Sequence, residues 1–170
     1  MDDNRRYELR DSFLQHLQIF RRVQNPDSSL FGTLIDSWYA YQRGGVFVKP
    51  TGNPRTLNNP SGRLEREAMR QLPFVSQAAG KILHENHTGR LVREHSIPKA
   101  YLRELFMTEV QSDAPTARIE TWLLRRYHVA ALTKEEHDTL PDRHKMPVGW
   151  DGDDVWARYL GISEYILRAR

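Results

Sequence analysis

The stretch Leu91-Val92-Arg93-Glu94-His95-Ser96-Ile97-Pro98 changes character within eight residues. Leu91 to Ile97 reads as a short extended run, and Pro98 fixes φ near the value that a first helical turn needs. A strand-to-helix junction is therefore expected here, in a chain whose remaining apolar pattern is mostly helical. The segment also carries an acid–imidazole pair. Histidine titrates near neutrality, and a neighbouring carboxylate can orient or charge it. Glu94 and His95 are thus the first residues to ask about chemistry.

Upstream, Leu9, Phe13, Leu17 and Phe20 recur at three- and four-residue steps, the mark of an amphipathic helix from Asn4 to Gln24. Asp3 or Asn4 caps it and Asn25-Pro26 stops it. A second helix, about Ser29 to Arg43, carries Leu30, Phe31, Leu34, Ile35, Trp38 and Tyr41 and ends at Gly44-Gly45. Val46-Phe47-Val48 is an extended piece, and residues 49–60 are a long loop rich in Pro, Gly and Asn, open to movement. Ser61 caps a helix from Gly62 to Gln71, and another follows from Phe74 to about His84.

Downstream of the junction, Pro98 opens a helix bearing Tyr101, Leu102, Leu105, Phe106 and Val110. Asp113-Ala114-Pro115 begins the next, which shows Ile119, Trp122, Leu123, Arg126 and Tyr127 on one face. Val129 to Leu132 reads as a brief strand. Thr133-Lys134-Glu135-Glu136 spells a capping box, with the hydroxyl at the cap and the glutamate three residues on. A loop from Pro141 to Gly152 leads to a helix from Asp153 to about Leu160, and Ser163 to Arg168 forms a final helical turn or two. The expected fold is mainly α: a single compact helical domain, residues 1–170, of about seven helices with two or three short extended segments.

The 170 residues suit one domain with a core of its own. Cysteine is absent, which excludes disulfides, thiolate catalysis and Cys-ligated zinc. The N-terminus opens on Asp2-Asp3 with no apolar run behind it, and no stretch approaches the ~20 apolar residues that span a bilayer. A cytoplasmic protein with no membrane partner is the expectation. P-loop, GxGxxG, GxSxG and HExxH patterns do not occur.

Six of the seven histidines lie between residues 84 and 144. His84 and His87 share one side of a helical turn, and with His95 they form a candidate divalent-metal set. The same histidines also suit a polar helix end, where imidazolium offsets the dipole. Asp151, Asp153 and Asp154 form an oxygen-rich group without EF-hand spacing, and they read as a helix cap. Trp150, Trp156 and Tyr159 around them suggest an apolar plug or an aromatic binding surface.

Glu94-His95-Ser96-Ile97-Pro98 resembles the opening motif of the HNH (ββα-metal) nucleases, where an acid–His pair, one residue, an aliphatic and Pro end the first strand. The resemblance implies Glu94 as ligand of a divalent metal and His95 as the base that activates water. It spans about eight residues. His128 and His137 follow at loosely suitable spacing for the family's second-helix ligand. The same residues suit plain architecture: Glu94 paired with an arginine, Ser96 capping the next helix and Pro98 in its first turn.

Arginine outnumbers lysine 20 to 5, and residues 51–110 hold nine Lys or Arg against six Asp or Glu. Arg is the better fork for phosphate and carboxylate. Arg63, Arg66 and Arg70 run along one helix face, and Arg90 and Arg93 extend the basic segment. This combination favours a non-catalytic binding protein without a cofactor, of the type carried by phages and mobile elements. Its expected partner is nucleic acid or a nucleoprotein complex, and inhibition of a defence system would fit. A metal-dependent nuclease using Glu94 and His95, and a regulatory subunit binding an acidic protein, are the alternatives.

Overall fold

Phe13, Leu17 and Phe20 fall on one face of α1 (Asp3–Arg22), and all three are buried. Their partner is the Phe31, Leu34, Ile35 and Trp38 stripe of α2 (Ser28–Gln42). Spacings of three, four and seven residues line up one helical face, so each stripe seeks the other. Asp27 accepts the Leu30 amide at 2.7 Å and caps α2. The structure is a computed structural model that describes residues 3–42, 66–67, 69–85, 89–110, 113–140, 142, 144–159 and 168–169.

The later elements are β1 (Phe74–Val75), α3 (Gln77–His84), β2 (Leu91–His95), α4 (Lys99–Val110), α5 (Thr116–Arg126), β3 (Val129–Thr133), α6 (Lys134–Thr139), a 3-10 turn (Ala157–Tyr159) and β4 (Arg168–Ala169). Residues 66, 67, 69 and 70 are also helical. The strands form one sheet in the order β2-β3-β1-β4, with β3 antiparallel to β2 and parallel to β1. Glu94 lies opposite Ala130 and His95 opposite Val129.

Side chains alternate across a strand, so this register sorts the sheet into two faces. Val75, Leu91, Val129 and Ala131 join the main helical core. Phe20, Phe31 and Phe106 meet there with ring centroids 5.3 to 6.0 Å apart. Ala130 and Leu132 face the other way, into a smaller cluster with Phe74, Leu140, Trp156 and Tyr159.

The chain is mainly helical, as its periodicity indicates, and α4, β3 and the Thr133 capping box stand where the sequence puts them. Several details differ. Six α-helices have defined bounds among the described residues, against about seven expected. Phe74 and Val75 pair with β3, so the helix begins only after Ser76, whose hydroxyl caps it. A 3-10 turn replaces the helix expected over 153–160. Arg168 and Ala169 pair with β1 as a strand, so the expected helical turn does not reach Arg168; its residues 163–167 lie outside the described residues. Val46-Phe47-Val48 and the loop 49–60 lie outside the described residues.

Candidate functional site

On the β2–β3–α6 face the centre is Glu94. Its carboxylate receives Arg158 Nη1 at 2.8 Å and lies 3.2 Å from His137 Nε2 on α6. The Arg158 side chain is 1% exposed, and its guanidinium also donates to the carbonyls of His95 and Asp142, at 3.2 and 2.6 Å. One buried arginine therefore ties the C-terminal turn to β2 and to the loop after α6. Burial, and then the Glu94 charge, push the Tyr159 phenol well above its usual range.

His95 projects from the opposite face. Its Nε2 is 3.4 Å from the Tyr127 hydroxyl, and the two rings lie 5.6 Å apart beside Trp38 and Tyr39. Burial lowers its pKa to about 3, helped by the positive charges of Arg93, Lys99 and Arg158. Desolvation and the surrounding charges both favour the neutral imidazole. The acid–His dipeptide thus places its two side chains on different sides of the sheet. Ser96 is buried and its hydroxyl caps nothing; instead its amide extends the ladder to the His128 carbonyl at 3.0 Å.

A second polar knot lies beside the sheet. Glu136 receives the Ser76 hydroxyl at 2.6 Å and the Thr133 amide at 2.8 Å, while Ser76 and Thr133 cap α3 and α6. Two helix starts share one buried carboxylate.

The histidines of the candidate metal set separate. His84 is exposed at the end of α3, His95 faces the core, and His87 lies outside the described residues. Among the described residues no three His, Asp or Glu side chains converge on a metal position. Asp151 instead accepts the Asp153 amide at 2.9 Å, and such backbone bonds hold its pKa below the usual carboxylate range.

The arginine row is used in part for structure. Arg70 donates to the Leu83 carbonyl at the end of α3 and pairs with Glu67, each at 2.8 Å. Arg66 donates to the Gly89 carbonyl at 3.2 Å. Arg90 is exposed and Arg93 half-buried, and Arg63 lies outside the described residues.

A more open basic surface occurs on α5. Glu109, Arg118, Thr121, Trp122, Arg125 and Arg126 line a cleft of about 530 Å3. Three guanidiniums line the cleft; Arg118 pairs with Glu109 at 2.6 Å, and Arg126 lies 3.9 Å from the Asp153 carboxylate at its rim. Trp122 is wedged against Phe106, ring centroids 5.5 Å apart, and the Arg126 guanidinium lies 5.5 Å from its ring. Arg126 also donates to the Gly152 carbonyl, which fastens the acidic 151–154 loop to the helix end. Arg125 is exposed, with no ion-pair partner among the described residues.

No family model matches this chain, and neither does any curated protein or solved structure. The reading of the α5 surface therefore rests on its own chemistry. The residues at 118, 121, 122, 125 and 126 stand at helical spacing, a signal present in the sequence. Trp122 and Arg126 obscured it, because the apolar stripe assigns both to the inward face.

Proposed function

We propose that the protein binds nucleic acid, or a nucleoprotein complex, without cutting it, through the outward face of α5. The observation that carries this reading is the cleft in which Arg118, Arg125 and Arg126 surround Trp122. Guanidiniums supply phosphate contacts, which dominate affinity for nucleic acid. A fixed indole adds a flat surface on which a base can stack. Arg126 and Trp122 are already held by the loop and by Phe106, so binding costs little side-chain ordering. A cytoplasmic location and a phage- or mobile-element-type role against a defence complex belong to the same proposal. The test is binding to DNA and RNA across a salt series. A steep loss of affinity with salt supports it, whereas salt-independent binding to an acidic protein alone replaces it with the regulatory-subunit reading.

One observation favours a second reading. β2 and β3 run antiparallel, α6 follows β3 directly, and Glu94 meets His137 on that helix at 3.2 Å. An acid and an imidazole thus lie side by side next to two antiparallel strands, although α4 and α5 separate the strands in sequence and the imidazole is His137, not the His95 of the HNH-like alternative. Against it, Arg158 already neutralises Glu94, and His95 faces the core. Metal-dependent plasmid cleavage lost in both His95→Ala and His137→Ala, with the fold retained, would establish the nuclease.

A further inference from the structure

A second cleft, of about 240 Å3, lies between the start of α1 and the end of α2, lined by Arg6, Tyr7, Arg10 and Tyr41. We infer that it is a single-stranded nucleic-acid site, in which Tyr7 and Tyr41 receive bases and Arg6 and Arg10 receive the phosphates between them. The inference rests on the nucleic-acid reading above but stands on different residues.

Three features point to this ligand. Tyr7 is 67% exposed, a large aromatic ring left in water beside a concave surface. Arg6 lies 5.9 Å from the centroid of the Tyr41 ring, so charge and π-face are already together. Among the described residues no carboxylate lines the cleft. A helix N-terminus is the positive end of its dipole, where acidic side chains stabilise and basic ones do not. Arg6 sits in the first turn of α1, where its charge adds to the positive end of the dipole, and Arg10 follows one turn further, beyond the dipole's reach. That arrangement costs stability and favours an incoming anion. Alternating aromatic rings and guanidiniums are how single strands are held without sequence preference, since every base offers a π-face. A duplex, whose bases are already stacked on one another, gains only the phosphate contacts.

The test measures fluorescence anisotropy of labelled oligo-dT and of a duplex of equal length, with the full chain and its variants. Tyr7→Ala is expected to weaken oligo-dT binding about tenfold and leave the duplex unchanged. Tyr7→Phe should keep wild-type affinity, and Arg10→Ala should flatten the salt dependence for oligo-dT. Arg125→Glu, on α5, should weaken both ligands. Wild-type affinity of Tyr7→Ala and Arg10→Ala for oligo-dT would overturn this site and leave the α5 reading standing. Failure of the wild-type protein to bind either ligand would overturn both. Tyr7 and Arg10 are exposed, and circular dichroism of each variant confirms that the fold is unchanged.

Discussion

Arg158 and Glu94 form a buried ion pair at 2.8 Å that joins the C-terminal turn to the edge strand β2. The guanidinium reaches two backbone carbonyls as well, so it organises a loop, a strand and a turn together. A buried pair of this kind contributes little net stability compared with apolar residues of similar volume, but losing one partner strands a charge. Arg158→Ala is therefore expected to destabilise by about 3–5 kcal/mol. Replacing both residues, as Glu94→Leu with Arg158→Met, should recover most of that loss. Denaturant titration of the wild type and the two variants checks it, and equal damage in the single and double replacements would contradict the account.

His95 gives the fold a pH dependence. Its pKa is about 3 folded and 6.5 when free, so below pH 6.5 the unfolded chain takes up a proton that the folded chain refuses. The sign is definite: this contribution is fully present above pH 6.5, falls as pH drops, and levels off near pH 3. The slope is at most about 1.4 kcal/mol per pH unit. His95→Gln should flatten the fall in stability between pH 6.5 and 4, measured as the unfolding midpoint against pH. A profile unchanged by the substitution would refute the neutral imidazole.

Glu136 serves two helix starts, so its removal should exceed the effect of a single cap. Glu136→Ala leaves the Ser76 hydroxyl and Thr133 amide without their buried acceptor. A loss of about 2–4 kcal/mol is expected, against about 1 for an ordinary cap. Glu136→Gln, which keeps an acceptor oxygen, should lose less. Thermal unfolding of the two variants separates these values.

Phe106 touches Phe20, Phe31 and Trp122. Phe106→Ala should cost about 3–5 kcal/mol through the cavity it leaves. It also removes the wall behind Trp122, so nucleic-acid affinity should fall in the protein that remains folded. Affinity held at the wild-type value would show that Trp122 needs no such support.

The helices were legible because their apolar residues repeat at helical spacing: Phe13, Leu17 and Phe20 declare α1, and Thr133 with Glu136 declares α6. The sheet was less so. Phe74 and Val75 supply only two strand residues, and Arg168 and Ala169 only two more, too few for a period-two signal. Their pairing depends on partners more than 50 residues away. The acid–His pair was visible at once, but strand alternation decides where its members point, and only the Ala130 and Val129 partners fix that. Arg66 and Arg70 read as a free basic row because backbone carbonyls leave no trace in sequence; Leu83 and Gly89 hold them. That Arg125 has no ion-pair partner among the described residues is likewise not legible from its own position in the sequence.

The central claim is that Arg125 and its neighbours on α5 contact phosphates. The most direct measurement is the slope of log Kobs against log salt for a DNA duplex, in wild type and in Arg125→Ala. Each phosphate contact contributes about 0.9 to that slope. The wild-type slope is expected to be steep, and Arg125→Ala should reduce it by about 1 while weakening binding alike across sequences. A flat wild-type slope, or a steep one that Arg125→Ala leaves unchanged, would contradict the account.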